Sequence, residues 1–280
     1  MKLIDILNTA VAKLAENNVE TSRLDAEVLL AHALGIERIE LYINKSMVLD
    51  EKKVTLFNSF IKQRADGCPV AYITGIKEFW SIPMKVTKDA LIPRPETELV
   101  VERALEIIGD KTRRLDILDL GTGSGCIATA LAKELPNASF VLTDVSEEAL
   151  SVARMNIEFA KDRAKIYCGS LFDPVAQKFD IIVSNPPYIP TGHRGLLCRE
   201  ITEHEPEVSL YGGKSGLDFI AKIIEDALLY LNPNGYLIME MGLGQADKLR
   251  TIAEECGGYS EVIISKDLAG IERAISLKNG

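Results

Sequence analysis

A doubly wound α/β sheet preceded by a small helical bundle is the fold this sequence predicts. Three observations predict it. From residue 113 to 280, short β-branched runs alternate with stretches of helical period. A glycine-rich turn, Gly121-Thr122-Gly123-Ser124-Gly125, stands where the first such run meets a helix. The fourth run, Phe179 to Val183, stops at Ser184-Asn185-Pro186-Pro187-Tyr188. The two prolines there have a fixed φ and no N–H, so the chain leaves the sheet in an extended, stiff form.

The N-terminal stretch is different. Leu3, Ile6, Leu7, Val11 and Leu14 recur at helix spacing, as do Leu24, Ala26, Val28, Leu29, Leu30, Ala33 and Leu34, closed by Gly35. A third pattern runs through Val54, Leu56, Phe57, Phe60 and Ile61. Residues 1–74 are therefore expected to be a helical domain. Its charges nearly cancel, so it is not a basic nucleic-acid arm. It serves packing and solubility, or it recognises a large partner.

Ala71-Tyr72-Ile73-Thr74, Glu78 to Ile82 and Met84 to Thr87 are β-rich and broken by Gly and Pro. A β-hairpin linker over 75–95 is expected. In Leu91-Ile92-Pro93-Arg94-Pro95-Glu96-Thr97-Glu98, two prolines hold an arginine and a helix follows. Thr97 or Glu96 is placed to cap that helix. Arg94 has two open roles: binding an acidic partner group, or pairing with Glu96 or Glu98.

The third domain, 96–280, reads as about seven strands: Leu115–Leu120, Ser139–Asp144, Lys165–Cys168, Phe179–Val183, Tyr236–Glu240, then a closing pair at Tyr259–Ser265 and Arg273–Leu277. Helices fill the intervals. Between Thr191 and Tyr211 the chain has charge and glycines without periodicity, long for a plain connection. It is expected to order around a partner. Within it, Glu205-Pro206 either braces the proline loop or lies in solvent.

Composition narrows the class. Of 280 residues, 47% are hydrophobic, which suits an ordinary globular protein. The N-terminus has Asp5 and Asn8 inside its first apolar turns, so a signal peptide is not expected, nor is a membrane span. The five cysteines and three histidines are scattered, without metal-ligand spacing. Reduced thiols in a cytoplasmic protein are expected, with no metal. A net charge of −9 argues against sequence-independent binding of duplex nucleic acid. The chain is expected to be a monomer.

The glycine turn is G-x-G-x-G, not the dinucleotide spacing G-x-G-x-x-G, and no Walker lysine follows it. Asp119 precedes it, where a carboxylate meets an ammonium better than a pyrophosphate. Asp144 ends the second strand about twenty residues on, the place for a carboxylate that accepts ribose hydroxyls. Its rival role is a helix cap at Ser146-Glu147. After the third strand, Leu171 and Phe172 offer apolar atoms to an adenine, with core packing as the rival for Phe172. Asn185 to Tyr188 offer a side-chain amide, the Asn185 and Pro186 carbonyls and an aromatic ring. That set suits a planar group bearing an NH2.

On these residues the chain resembles a known family. Asp119-Leu120-Gly121-Thr122-Gly123-Ser124-Gly125 looks like the first motif of class I, Rossmann-like methyltransferases. Asn185-Pro186-Pro187-Tyr188 looks like the signature of enzymes that methylate planar amide or amino nitrogens. Gly75 to Trp80, Leu91 to Glu98, and Glu205-Pro206 with Gly212, Gly213, Gly216 and Leu217 resemble the HemK-type peptide-chain-release-factor glutamine methyltransferases over nearly the whole length. The resemblance implies S-adenosylmethionine as cofactor, held by Gly121 to Gly125, Asp144, Leu171 and Asn185. It implies methylation of N5 of the glutamine in the Gly-Gly-Gln motif of class I release factors. The substrate loop would be Asn185, Pro186, Pro187 and Tyr188, with the Asn185 side-chain oxygen and the Pro186 carbonyl accepting the amide hydrogens and Tyr188 packing on the glutamine. Leucine at 171 departs from relatives with a large aromatic there. Ribosomal-protein glutamine methyltransferases and adenine-N6 DNA methyltransferases are the alternatives; a DNA enzyme would need a base-flipping pocket and a basic recognition domain.

Overall fold

Alternation of side chains along each strand explains the layering. In a computed structural model that describes residues 2–280, seven strands form one sheet in the order β5-β4-β3-β6-β7-β9-β8. All neighbours are parallel except β9, which runs antiparallel to both β7 and β8. Both faces of the sheet are covered, so its inner strands are rich in buried apolar residues on both sides.

The chain divides into two units, residues 2–76 with Cys198–His204, and Lys77–Leu197 with Glu205–Gly280. The first unit holds α1 (Leu3–Glu16), α2 (Ser22–Leu34), α3 (Arg38–Ile43), α4 (Glu51–Ala65) and α5 (Val70–Thr74). The three periodic stretches became α1, α2 and α4, packed through Leu3, Leu7, Leu14, Leu29, Leu30, Phe57 and Ile61. Segment 71–74, expected to be β, is a single helical turn instead. Pro69 precedes it, Gly75 ends it in the left-handed region at φ 72°, and the Thr74 hydroxyl donates back to the Val70 carbonyl. Local capping outweighs the β propensity of Tyr72, Ile73 and Thr74.

The buried Arg64 of α4 donates to Asp25 of α2 at 2.7 Å and to Glu200 at 2.5 Å. Arg64 and Asp25 are almost fully enclosed, and Glu200 is more open. Removing the cation strands a buried carboxylate, which costs about 3–5 kcal/mol. Arg64→Ala is therefore expected to speed amide exchange across α2 and α4 by about two orders of magnitude or more. Exchange unchanged from the parent protein would contradict that account.

The second unit begins at Lys77, within the hairpin β1 (Ile76–Phe79) and β2 (Ile82–Lys85), which is turned by Trp80 and Ser81 at φ 52° and 55°. Positive φ at two central residues is the twist-matched hairpin turn, here without glycine. The hairpin clusters with the sheet's own core through Phe79 and Met84, rather than standing apart as a 75–95 linker. Next come α6 (Glu98–Ile108), β3 (Asp116–Leu120), α7 (Cys126–Glu134), β4 (Ser139–Asp144), α8 (Glu147–Ile157), β5 (Ala164–Cys168) and β6 (Phe179–Ser184). After α9 (Arg199–His204), which belongs to the first unit, follow α10 (Asp218–Tyr230), β7 (Leu231–Glu240), α11 (Ala246–Cys256), β8 (Tyr259–Lys266) and β9 (Glu272–Asn279).

Ile117, Ile181 and Val183 point to the face covered by α6, α7 and α8; Leu118, Leu120 and Ile182 point to the face covered by α10 and α11. Phe172 stacks on Tyr230 with ring centroids 4.5 Å apart and is buried, which favours core packing over adenine contact. The 191–211 stretch is not irregular: it holds a 3-10 turn at Thr191–Leu196, α9, and another at Glu207–Ser209. These single turns are too short to leave a periodic signal.

Candidate active site

From β3 the chain winds outward through β4 and β5, then crosses back to place β6 on the other side of β3. The gap above β3 and β6 is the switch point of the sheet, where both connections diverge and leave a crevice. Leu120 pairs with Ser184, so the glycine turn and the Asn185 loop leave the sheet at the same level. A cavity of about 210 Å³ lies there, lined on the turn side by Gly121, Thr122, Gly123 and Ser124, and on the loop side by Asn185, Pro186 and Pro187.

The turn needs its glycines. Gly121, Gly123 and Gly125 all have φ between 54° and 76°, which L side chains rarely adopt. At Gly125 a Cβ would also meet the Ala153 Cβ of α8 at 3.0 Å. The absence of a side chain lets α7 and α8 approach.

Asp144 lines the same cavity. Its Oδ2 accepts the Gly123 N–H at 2.8 Å and its Oδ1 the Ser146 N–H at 3.0 Å. The cap of α8 is Ser146, whose hydroxyl accepts the Ala149 N–H, so Asp144 is not the cap. Burial pushes the Asp144 carboxyl up, opposed by the backbone donors. Each oxygen keeps a lone pair for a vicinal diol. Leu171, at φ 44°, and Val145 supply the apolar walls beside it.

Asp119 takes a different place from the one expected. It is buried behind the turn and is not part of the cavity wall. Its Oδ2 accepts from the Thr122 hydroxyl at 2.7 Å and the Ala128 N–H at 3.0 Å, so it braces the turn against α7. Side chains alternate between the two covered faces of β3, and position 119 falls with Ile117 on the face that α7 covers. Desolvation raises its carboxyl to about 6. A carboxyl raised on folding favours the fold below its unfolded value near 4, and that contribution is lost as pH rises through 6. Relative to Asp119→Asn, the unliganded parent is expected to lose on the order of 2–3 kcal/mol between pH 4 and 7. Denaturant melts of both across that range check this; parallel profiles would contradict it.

The Asn185 loop is held from behind. Asn185 Nδ2 donates to the Thr97 hydroxyl at 3.0 Å, and that hydroxyl donates to Glu240 Oε2 at 2.5 Å. Thr97, expected as a helix cap, makes no cap: it heads α6 but turns its hydroxyl to Glu240. Glu240 ends β7, one residue past the Met239 that pairs with Ser184. Tyr188 was expected to cover the substrate. Its hydroxyl instead donates to Glu240 Oε1 at 2.9 Å, and its ring packs on the core rather than lining this cavity. Burial pushes both groups up; the hydrogen bonds from Thr97 and Tyr188 pull Glu240 back.

Other supports come from Gln245 and the 212–216 glycines. Gln245 Nε2 donates to the Tyr188 carbonyl at 3.0 Å and the Gly216 carbonyl at 3.2 Å. A Cβ on Gly212 would collide with the Pro187 carbonyl. Arg94 lines the cavity and reaches the buried Glu205 at 2.6 Å, rather than Glu96 or Glu98. Thus Glu205 is neither solvated nor distant from the site. Glu240 and Gln245 were not singled out in the sequence, and Thr97 only as a helix cap; the one available signal was a glutamate closing the apolar run Tyr236 to Met239.

Among the described residues no donor meets the Asn185 Oδ1 or the Pro186 carbonyl. Two unpartnered acceptors near a buried carboxylate and a glycine turn fit a nucleoside that carries an amino-acid chain, with a planar NH2 group opposite. This fold and this site define a class I methyltransferase. Among solved structures, the chain is similar to a methyltransferase from Pyrococcus furiosus, at 24% identity and TM-score 0.51, covering 73% of this chain and 92% of that one. It is also similar to the human METTL16 catalytic domain crystallised with a MAT2A 3′UTR hairpin, at 20% identity and TM-score 0.58, covering 78% and 81%. At such identities the likeness shows the fold alone.

Residues 5–75 match the PrmC N-terminal domain family and residues 99–208 the methyltransferase small domain family. The release factor glutamine methyltransferase of Rhodopirellula baltica is 42% identical over 266 residues, 92% of this chain and 90% of the relative. That of Geobacter sulfurreducens is 40% identical over 276 residues, 98% and 96%. The chain belongs to the release factor glutamine methyltransferase family. No helix among the described residues is long and apolar enough to cross a membrane.

Proposed function

We propose that this protein transfers a methyl group from S-adenosylmethionine to the side-chain nitrogen of the Gly-Gly-Gln glutamine in class I release factors, with Asn185 and Pro186 receiving the amide. The observation that carries the residue assignment is the pair of unpartnered acceptors, Asn185 Oδ1 and the Pro186 carbonyl, with Asn185 Nδ2 tied away to Thr97.

The residues fit the cofactor. Asp144 has lone pairs for the ribose hydroxyls, Leu171 and Val145 give an apolar slot for the base, and Gly121 to Ser124 let an amino-acid chain lie against backbone. When bound, S-adenosylmethionine supplies a methyl on a sulfonium. The protein's part is orientation. A primary amide nitrogen is a poor nucleophile because its lone pair is delocalised. Two acceptors on its hydrogens turn one face of the nitrogen into the cavity and favour the positive charge that develops on it. The ionisable residues lining the cavity are Arg94, Cys126 and Asp144. Cys126 is pushed up to about 12 by burial, and Asp144 is engaged by Gly123 and Ser146, so neither is a base for the amide. The proton leaves to water.

The helical unit serves to hold the factor. Supporting this are Ile39, Tyr42, Ile43 and Val48, exposed apolar side chains in and after α3. The test is mass spectrometry of a purified release factor after incubation with the protein and S-adenosylmethionine. One added methyl on the Gly-Gly-Gln peptide is expected. Transfer to a ribosomal protein or to DNA with none on the factor would overturn the substrate.

A further inference from the structure

We propose that Thr97 and Glu240 are positioning residues that lock the Asn185 side chain with its oxygen, not its nitrogen, toward the substrate. This rests on the reading that Asn185 receives the substrate amide. An asparagine amide has two ends of nearly equal shape, one an acceptor and the other a double donor. A half-turn about its last bond exchanges them at small steric cost. With the nitrogen forward, it would oppose the two hydrogens of the incoming amide, and the loop would repel what it has to hold.

The structure removes this ambiguity by direction. Glu240 is the acceptor at both of its oxygens. Its Oε2 takes the single hydrogen of the Thr97 hydroxyl at 2.5 Å. With that hydrogen spent, the hydroxyl presents only lone pairs to Asn185, and only Nδ2 satisfies them, at 3.0 Å. The second carboxylate oxygen is held by the Tyr188 hydroxyl at 2.9 Å, so the carboxylate is tied at both ends. Thr97 and Glu240 are each 1% exposed, which leaves no bulk water to reverse a bond.

Register supplies the placement. Ser184 pairs with Met239, so the residues that follow, Asn185 and Glu240, leave adjacent strands side by side. A buried carboxylate costs desolvation that apolar side chains in the same space would avoid. Holding it here serves the orientation of Asn185, and Tyr188 joins the same device from within the proline loop.

Thr97→Val keeps the shape and deletes the hydroxyl. It is expected to lower kcat toward the release factor about 100-fold, with cofactor Kd and factor KM changed less than about threefold. Thr97→Ser, which keeps the hydroxyl, recovers most of kcat. Thr97→Ala is the second variant should the valine chain not fold, with the same loss expected. A second readout needs no methyl transfer. The Asn185 side-chain NH2 resonances, assigned by their loss in Asn185→Ala, exchange slowly with water in the parent and in Thr97→Ser, and faster in Thr97→Val. A Thr97→Val enzyme with near-normal kcat, or a Thr97→Ser enzyme as impaired as Thr97→Val, would overturn the proposal. If the parent methylates no release factor, the substrate reading fails, and the exchange data still decide whether the lock exists.

Discussion

Asn185→Ala is expected to reduce kcat for release-factor methylation by about 10³-fold while leaving the cofactor Kd within a few-fold. The reason is the division of labour on the loop. Asn185 lines the cavity's loop side, and among the described residues the one hydrogen bond of its side-chain amide is the one to Thr97. Removing it leaves the Pro186 carbonyl alone to hold a group that has two hydrogens. The amide then rotates freely, and its lone pair has no fixed direction. Asp144, to which the ribose is assigned, is on another strand end, so the cofactor's affinity is expected to persist. Isothermal titration with S-adenosylhomocysteine and single-turnover kinetics separate the two quantities. An Asn185→Ala enzyme with kcat near that of the parent would sink the role assigned to this residue.

Asp144→Ala is expected to give the opposite split. Two charge-assisted hydrogen bonds to the ribose are worth enough to raise the cofactor Kd roughly 100-fold. At saturating cofactor, kcat should stay within several-fold of the parent, since the Asn185 loop and its support from Glu240 are untouched. Part of the loss comes through the turn, because the Asp144 carboxylate also fixes the Gly123 N–H. A normal Kd with collapsed kcat would show that Asp144 acts on the reaction rather than on the cofactor.

Much of this site was legible in the chain because its chemistry is local. Gly121 to Gly125 is a contiguous turn, and positive φ at three of its residues demands glycine whatever surrounds it. Asn185 to Tyr188 is contiguous too, and two prolines dictate its extended form without help from neighbours. Strand and helix alternation from β3 to β9 followed from period alone. Capping was the local exception: Tyr72, Ile73 and Thr74 have strand composition, yet Pro69 and Gly75 close them into a helical turn.

The assignments that went elsewhere are those decided across the fold. Thr97 has the composition of a helix cap, and Tyr188 that of a lid on the substrate. Which acceptor each hydroxyl serves depends on Glu240, which is 143 positions from Thr97 and 52 from Tyr188. Arg94 found its partner at Glu205, 111 positions on, rather than in the adjacent Glu96 or Glu98. Asp119 sits beside the turn in sequence, and the pleat of β3 turns it toward α7.

The sequence by itself determined the fold class, the glycine turn, the Asp144 strand end and the rigid proline loop, because backbone sterics and hydrophobic period act over a few residues. Only the tertiary structure decided which way the Asn185 amide faces and which buried groups hold it there. Those hydrogen bonds join strand ends and a helix start that pairing of β3, β6 and β7 brings together, and a one-dimensional pattern has no term for a contact made by register.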